Sequence, residues 1–132
     1  MPGVAFSYAV VRVVPCIERE EFVNVGVILF CAERRYLGCR LVADPQRLTA
    51  RLHALSPEAD AAEIARHLEG LRAVCEGEPS AGSIAAMTAS ERFHWLVAPR
   101  NTAIQTSPVH SGISDAPDVA LGHLFETLVA VD

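Results

Sequence analysis

Residues 6–15 divide into two alternating sets, Phe6, Tyr8, Val10, Arg12 and Val14 against Ser7, Ala9, Val11 and Val13, mostly apolar and rich in β-branched residues. Side chains of a strand point to opposite faces in turn and β-branched residues suit the pleat, so this period predicts a strand that Pro15 ends. The charged connection Glu18-Arg19-Glu20-Glu21 leads into residues 22–31, apolar on both faces. Such a run predicts a strand in the middle of a covered sheet. Residues 36–42 follow after Glu33-Arg34-Arg35, a link short enough to predict an antiparallel hairpin.

At Asp44-Pro45 the period changes. Asp44 suits a helix cap and Pro45 the first helical position, and Leu48, Leu52 and Leu55 then fall on one face. Ser56-Pro57 repeats the start signal. The next stretch puts Ile64, Leu68, Leu71 and Cys75 on one side and Glu63, Arg66, Glu69 and Arg72 on the other, an amphipathic helix that stops at Gly77 before a loop over residues 78–82. Thr88-Ala-Ser-Glu91 has the form of a capping box and predicts a helix over residues 89–98, closed by Pro99. Residues 100–114 show no sustained period, which predicts an irregular loop with one short strand around 104–107. Pro117-Asp118 opens a last helix with Leu121, Leu124, Phe125 and Leu128 as its core stripe. Strands first and helices afterwards predict an α+β fold, an antiparallel three- to four-stranded sheet packed against two to four helices. No repeat or linker divides residues 1–132, so a single domain is expected.

Composition narrows the function classes. Of 132 residues 51% are hydrophobic and 20% charged, which excludes disorder because burial can offset the ordering entropy. The longest apolar run, residues 25–32, is broken by Gly26 and too short to cross a bilayer, and Met1-Pro2-Gly3 lacks the charged start of a signal peptide. A cytoplasmic protein without membrane contact is expected. A net charge of −5 argues against a nucleic-acid binder. All 11 basic residues are Arg and none is Lys, the bias of a GC-rich genome, so an Arg here is weaker evidence of anion recognition than in a mixed chain. Cys16, Cys31, Cys39 and Cys75 form no C-x-x-C pair, so no metal or other cofactor is expected and reduced thiols are the first reading. Cys31 and Cys39 flank the hairpin turn and could face each other across it.

Phosphate loops, dinucleotide fingerprints, H-E-x-x-H and nucleophile elbows are all missing. Two features stand out instead. Arg12, Glu21, Asn24 and Gly26 put polar or permissive residues into the most apolar strands, where they need partners. Arg12 and Asn24 could meet on one sheet face, Gly26 would allow a bulge or the close approach of another chain or ligand, and an Arg12–Glu21 pair would close the sheet end. The second feature is residues 92–114, which contain no acidic residue yet carry Arg92, His94, Arg100 and His110. Arg92 and Trp95, three apart on a helix, could form one surface, and Arg100, Gln105 and Ser107 supply donors suited to a carboxylate or phosphate. Loop residues that bond their own backbone would explain the same pattern. Ser107, His110 and Asp115 make a poor triad, lying together on one predicted loop with no oxyanion signal. His53, His67 and His123 sit on predicted helices without partners at ligand spacing.

Tyr8-x-x-x-Arg12-x-x-Pro15, then Glu21-Phe-Val-Asn24-Val-Gly26-Val-Ile-Leu29, and later Arg92-x-x-Trp95, Pro99-Arg100 and Gln105-x-Ser107 resemble a bacterial family known as domain of unknown function 3037. The resemblance spans nearly the whole chain and is most specific in the Glu-x-x-Asn-Val-Gly-Val segment. It implies little about activity. Its members are often encoded beside kinases similar to the HipA toxin, which implies an accessory role with such a kinase as partner. The matched positions coincide with the two polar features and join them into one candidate site: Arg12, Glu21, Asn24, Arg92, Trp95, Arg100, Gln105, Ser107 and His110. The leading reading is a binding or interaction protein that holds an anionic ligand or a partner's acidic surface. The alternatives are a small hydrolase or transferase with His110 or Glu21 as acid/base, and a structural subunit that pairs with its own copy as a homo-oligomer.

Overall fold

Antiparallel strands and the helices packed on both faces of their sheet share the hydrophobic core. The computed structural model describes residues 3–15, 17–42, 44–53, 55–100 and 102–129. Strand β1 (Val4–Val13) pairs antiparallel with β2 (Val23–Cys31), and β2 pairs antiparallel with β3 (Tyr36–Leu41). Val25, Val27, Ile28, Leu29 and Cys31 are wholly buried, as the double-faced apolar run predicts for a central strand. Phe22 lies just outside that strand and is exposed.

The helices follow their sequence signals closely. Asp44 caps α1 (Pro45–Leu52) and Asp60 caps α2 (Ala61–Glu76), which ends at Gly77 in the left-handed conformation. The start of α2 is therefore Asp60 and not the Ser56-Pro57 signal, because the Asp60 carboxylate accepts from the Glu63 amide. Thr88 and Glu91 form the expected capping box of α3 (Ala89–Val97). After α3 come β4 (Ile104–Thr106), β5 (His110–Ser114) and α4 (Pro117–Leu128). The structure thus has a five-stranded open antiparallel sheet, one strand more than the upper expectation, with four α-helices among the described residues. The added strand is β5, inside the expected loop.

The sheet runs β3-β2-β1 and then splits along the far edge of β1. There β4 pairs with residues 11–13 and β5 with residues 4–8. Helix α4 packs on β2 and β3 from one side, where the Arg40 guanidinium lies 4.8 Å from the Phe125 ring. On the other side Phe30 stacks on Phe93 of α3 at 5.3 Å, beside α2. Gly26 lies beside a bulge, as expected, and the close approach it allows is that of β3 of the same chain, not of another chain or a ligand. The β1–β2 register shifts between Val11↔Gly26 and Arg12↔Asn24, leaving Val25 as a bulge. A Cβ on Gly26 would come within 2.8 Å of the Arg40 carbonyl oxygen, so β3 can approach only a glycine.

Cys31, Cys39 and Cys75 are free thiols. Cys31 lies opposite Tyr36 and Cys39 opposite Ile28, so the hairpin register keeps the first two apart. Cys39 instead meets Cys75 of α2, and the hydrogen bond between them, with burial, pushes the Cys75 pKa well above its ordinary value. Cys16 lies outside the described residues. No helix among the described residues is long and apolar enough to cross a membrane.

Candidate functional site

The bulge at Val25 decides what the first polar feature can do. Without it Asn24 would face the opposite side of the sheet from Arg12; with it the two are cross-strand neighbours. Gln105 of β4 is the neighbour of Arg12 on the other side, so Arg12, Asn24 and Gln105 form one row across three strands. The Arg12 guanidinium lies 4.1 Å from the Phe22 ring centroid. Its Nε is buried without a hydrogen-bond partner among the described residues, as is Asn24 Oδ1, while Asn24 Nδ2 donates to the Leu128 carbonyl at 3.2 Å. Gln105 Nε2 donates to Thr102 O at 2.9 Å.

The expected Arg12–Glu21 pair is not made. Glu21 binds Arg19 at 2.8 Å on the surface, and Phe22 occupies the place over Arg12. Further along the same side, Tyr8 and His110 are cross-strand partners with ring centroids 5.4 Å apart, His110 being exposed. Between these rows Ser107 is only 3% exposed. Its Oγ accepts from the Val10 amide at 2.9 Å and donates to the Pro108 carbonyl at 2.9 Å. Ser107 closes the gap in the ladder between β4 and β5, and its proton is already engaged.

The second feature divides differently from its sequence pattern. Arg92 turns away from Trp95, donating from Nη1 to Met87 O at 2.6 Å and from Nη2 to Cys75 O at 3.4 Å, and so clasps the end of α2. The partner of Trp95 is Arg100, whose guanidinium lies 4.6 Å from the indole centroid. Arg100 also donates to Leu96 O at 2.9 Å and Trp95 O at 2.7 Å, satisfying carbonyls that the end of α3 leaves free. Burial lowers its pKa from the ordinary value.

Trp95 and Arg100 form one wall of a cleft of about 430 Å³ whose other wall is α2, with Arg66, His67 and Gly70 facing them and Leu71 and Ile104 as apolar lining. Among the described residues no carboxylate lines it. Beyond His67 and Ile104 a second depression carries Glu58, Asp60 and Glu63, so the cationic cleft has an acidic neighbour. A smaller hollow of about 270 Å³ follows the edge of β4 and is lined by Arg100, Gln105 and Ser107.

The two polar features therefore do not merge into one pocket. Ile104 is the neighbour of buried Val13 and lines the α2–α3 cleft, whereas Gln105 follows Arg12 to the α4 side of the sheet. The structure groups Arg12, Asn24, Gln105 and, two rows away, His110; it groups Trp95 and Arg100 in the α2–α3 cleft, with Arg100 also reaching the β4 hollow beside Gln105 and Ser107; it gives Arg92 and Ser107 to the framework and sets Glu21 apart. Arg66, His67 and Gly70 were not among the sequence candidates, because Arg66 reads as part of a solvated helix face. The signal available was a glycine inside a helix. Among the described residues no group of three His, Cys, Asp or Glu could hold a metal ion.

The family model described as Protein of unknown function (DUF3037) matches residues 8–129, nearly the whole chain and both polar features. The chain belongs to that family. No curated protein and no solved structure gives a significant match. DUF3037 membership thus agrees with the resemblance carried by Arg12, the Glu21 to Leu29 segment and Trp95, and it assigns no activity to them.

Proposed function

We propose that this DUF3037 chain is a binding protein that holds a carboxylate- or phosphate-bearing ligand in the cleft between α2 and the end of α3. The observation that carries the reading is charge placement. In a chain of net charge −5, Arg66, His67 and Arg100 line one cleft with Trp95 and, among the described residues, no carboxylate. Arg66 matters most, since it is exposed and has no hydrogen bond or ion pair among the described residues, whereas Arg100 also holds the α3 carbonyls. A cleft of this size suits a small molecule or the tip of a partner segment.

Calorimetric titration with phenyl phosphate at about 20 mM and about 200 mM salt tests this, because an ion-paired ligand is screened as salt rises. Binding should weaken with salt and fall about tenfold in Arg66→Gln, equivalent to about 1.4 kcal/mol, with thermal stability unchanged. Salt-independent binding that survives Arg66→Gln would refute it. The accessory role implied by the family resemblance fits the same cleft. An acidic segment of a HipA-like kinase would be held there, and Arg66→Gln should then weaken the purified complex. No observation favours the hydrolase or transferase alternative, since His110 and Glu21 share none of the described clefts with Arg66 or Arg100.

A further inference from the structure

We infer that the ligand of this cleft is a planar aromatic anion and that Gly70 is the position that admits its ring. The inference rests on the binding reading above and deepens it.

Gly70 lies inside α2, exposed, without the positive φ that would require glycine, and an added Cβ there would meet nothing within 4 Å. Glycine in an exposed helix interior is unfavourable relative to alanine, so a glycine with neither a backbone nor a packing reason calls for another. Gly122 of α4 shows the contrast, because a Cβ there would lie 3.1 Å from Arg40 Nη1. Gly70 has no such neighbour among the described residues. What it does have is the cleft, where a side chain would project between α2 and Trp95. Trp95, 40% exposed, is held by the Arg100 guanidinium against its ring, while Leu71 and Ile104 supply apolar lining. An indole across from a side-chain-free patch accepts a flat ring by stacking, and Arg66 then meets the negative group.

Trp95 is the one tryptophan of the chain, so its fluorescence reports on the cleft directly. The native protein would be titrated with benzoate and phenyl phosphate, and with cyclohexanecarboxylate and inorganic phosphate, which carry the charge without the flat ring. The aromatic probes should quench Trp95 saturably and bind about tenfold more tightly than the comparators. Gly70→Leu should remove that advantage while its melting temperature stays level or rises, as replacing a helical glycine predicts. Gly70→Met is a second filling variant read in the same way. If cyclohexanecarboxylate binds as well as benzoate, or Gly70→Leu binds benzoate like the native protein, the aromatic inference falls. The anion reading survives that result provided Arg66→Gln still weakens the probes. If none of the four probes binds the native protein, both readings fall together.

Discussion

The polar row on the sheet and the cationic cleft behind α2 contain similar residues under opposite obligations. On the sheet, Ser107 completes the ladder at Val10, Asn24 reaches the last turn of α4 and Gln105 bonds its own loop. For these groups the chain itself supplies a partner, whereas Arg12 Nε and Asn24 Oδ1 of the same row stay buried with none among the described residues. In the cleft, Arg66 and His67 sit on an exposed helix face where water already satisfies them, and neither has a hydrogen bond or ion pair among the described residues. Ser107 and Gln105 are thus engaged by the fold and Asn24 in part, while the exposed groups open to a ligand in the cleft are those that look ordinary.

That contrast breaks first at Ser107. Ser107→Ala strands the buried Val10 amide and should cost about 1–3 kcal/mol in urea unfolding. A loss below about 0.5 kcal/mol, the scale of surface changes, would mean that Ser107 is not part of the framework. Arg92→Met comes next. It removes the clasp on Met87 O and Cys75 O, but also the buried Nε that has no partner, so a smaller loss of about 1 kcal/mol is expected, with ligand affinity unaltered. A drop in affinity at constant stability would move Arg92 from framework to site. The smallest effect sharpens the cleft's electrostatics. Glu63 lines the acidic depression beyond His67, and Glu63→Gln should tighten phenyl phosphate binding about two- to threefold without changing the melting point, as removal of an exposed like charge does. Weaker binding would mean that the two depressions do not share a field.

Most of the fold could be read from local chemistry. Asp44-Pro45, Thr88 with Glu91, and Gly77 mark real helix ends because each satisfies backbone groups that a helix end leaves free. β2 was legible because burial on both faces leaves no polar phase. β5 was not, since an edge strand exposed along His110, Ser111 and Ile113 needs no apolar period and is set by pairing with β1. The site was legible in part. The spacing along α3 pairs Arg92 with Trp95, and it could not show that Arg92 turns back to α2 or that Arg100 returns over the indole. Arg66 and Gly70 became visible only when α2 packed beside α3, because a cleft between two helices has no signature in either one.

The central claim is that a ligand enters the α2–α3 cleft and not the sheet face, and amide chemical shifts mapped during a phenyl phosphate titration test it most directly. Saturable shifts should centre on residues 66–71 and 95–104 together with the Trp95 indole N–H, leaving Tyr8, Arg12, Asn24 and His110 in place. Shifts centred on Arg12, Asn24 and His110, with the Trp95 indole unmoved, would contradict the account.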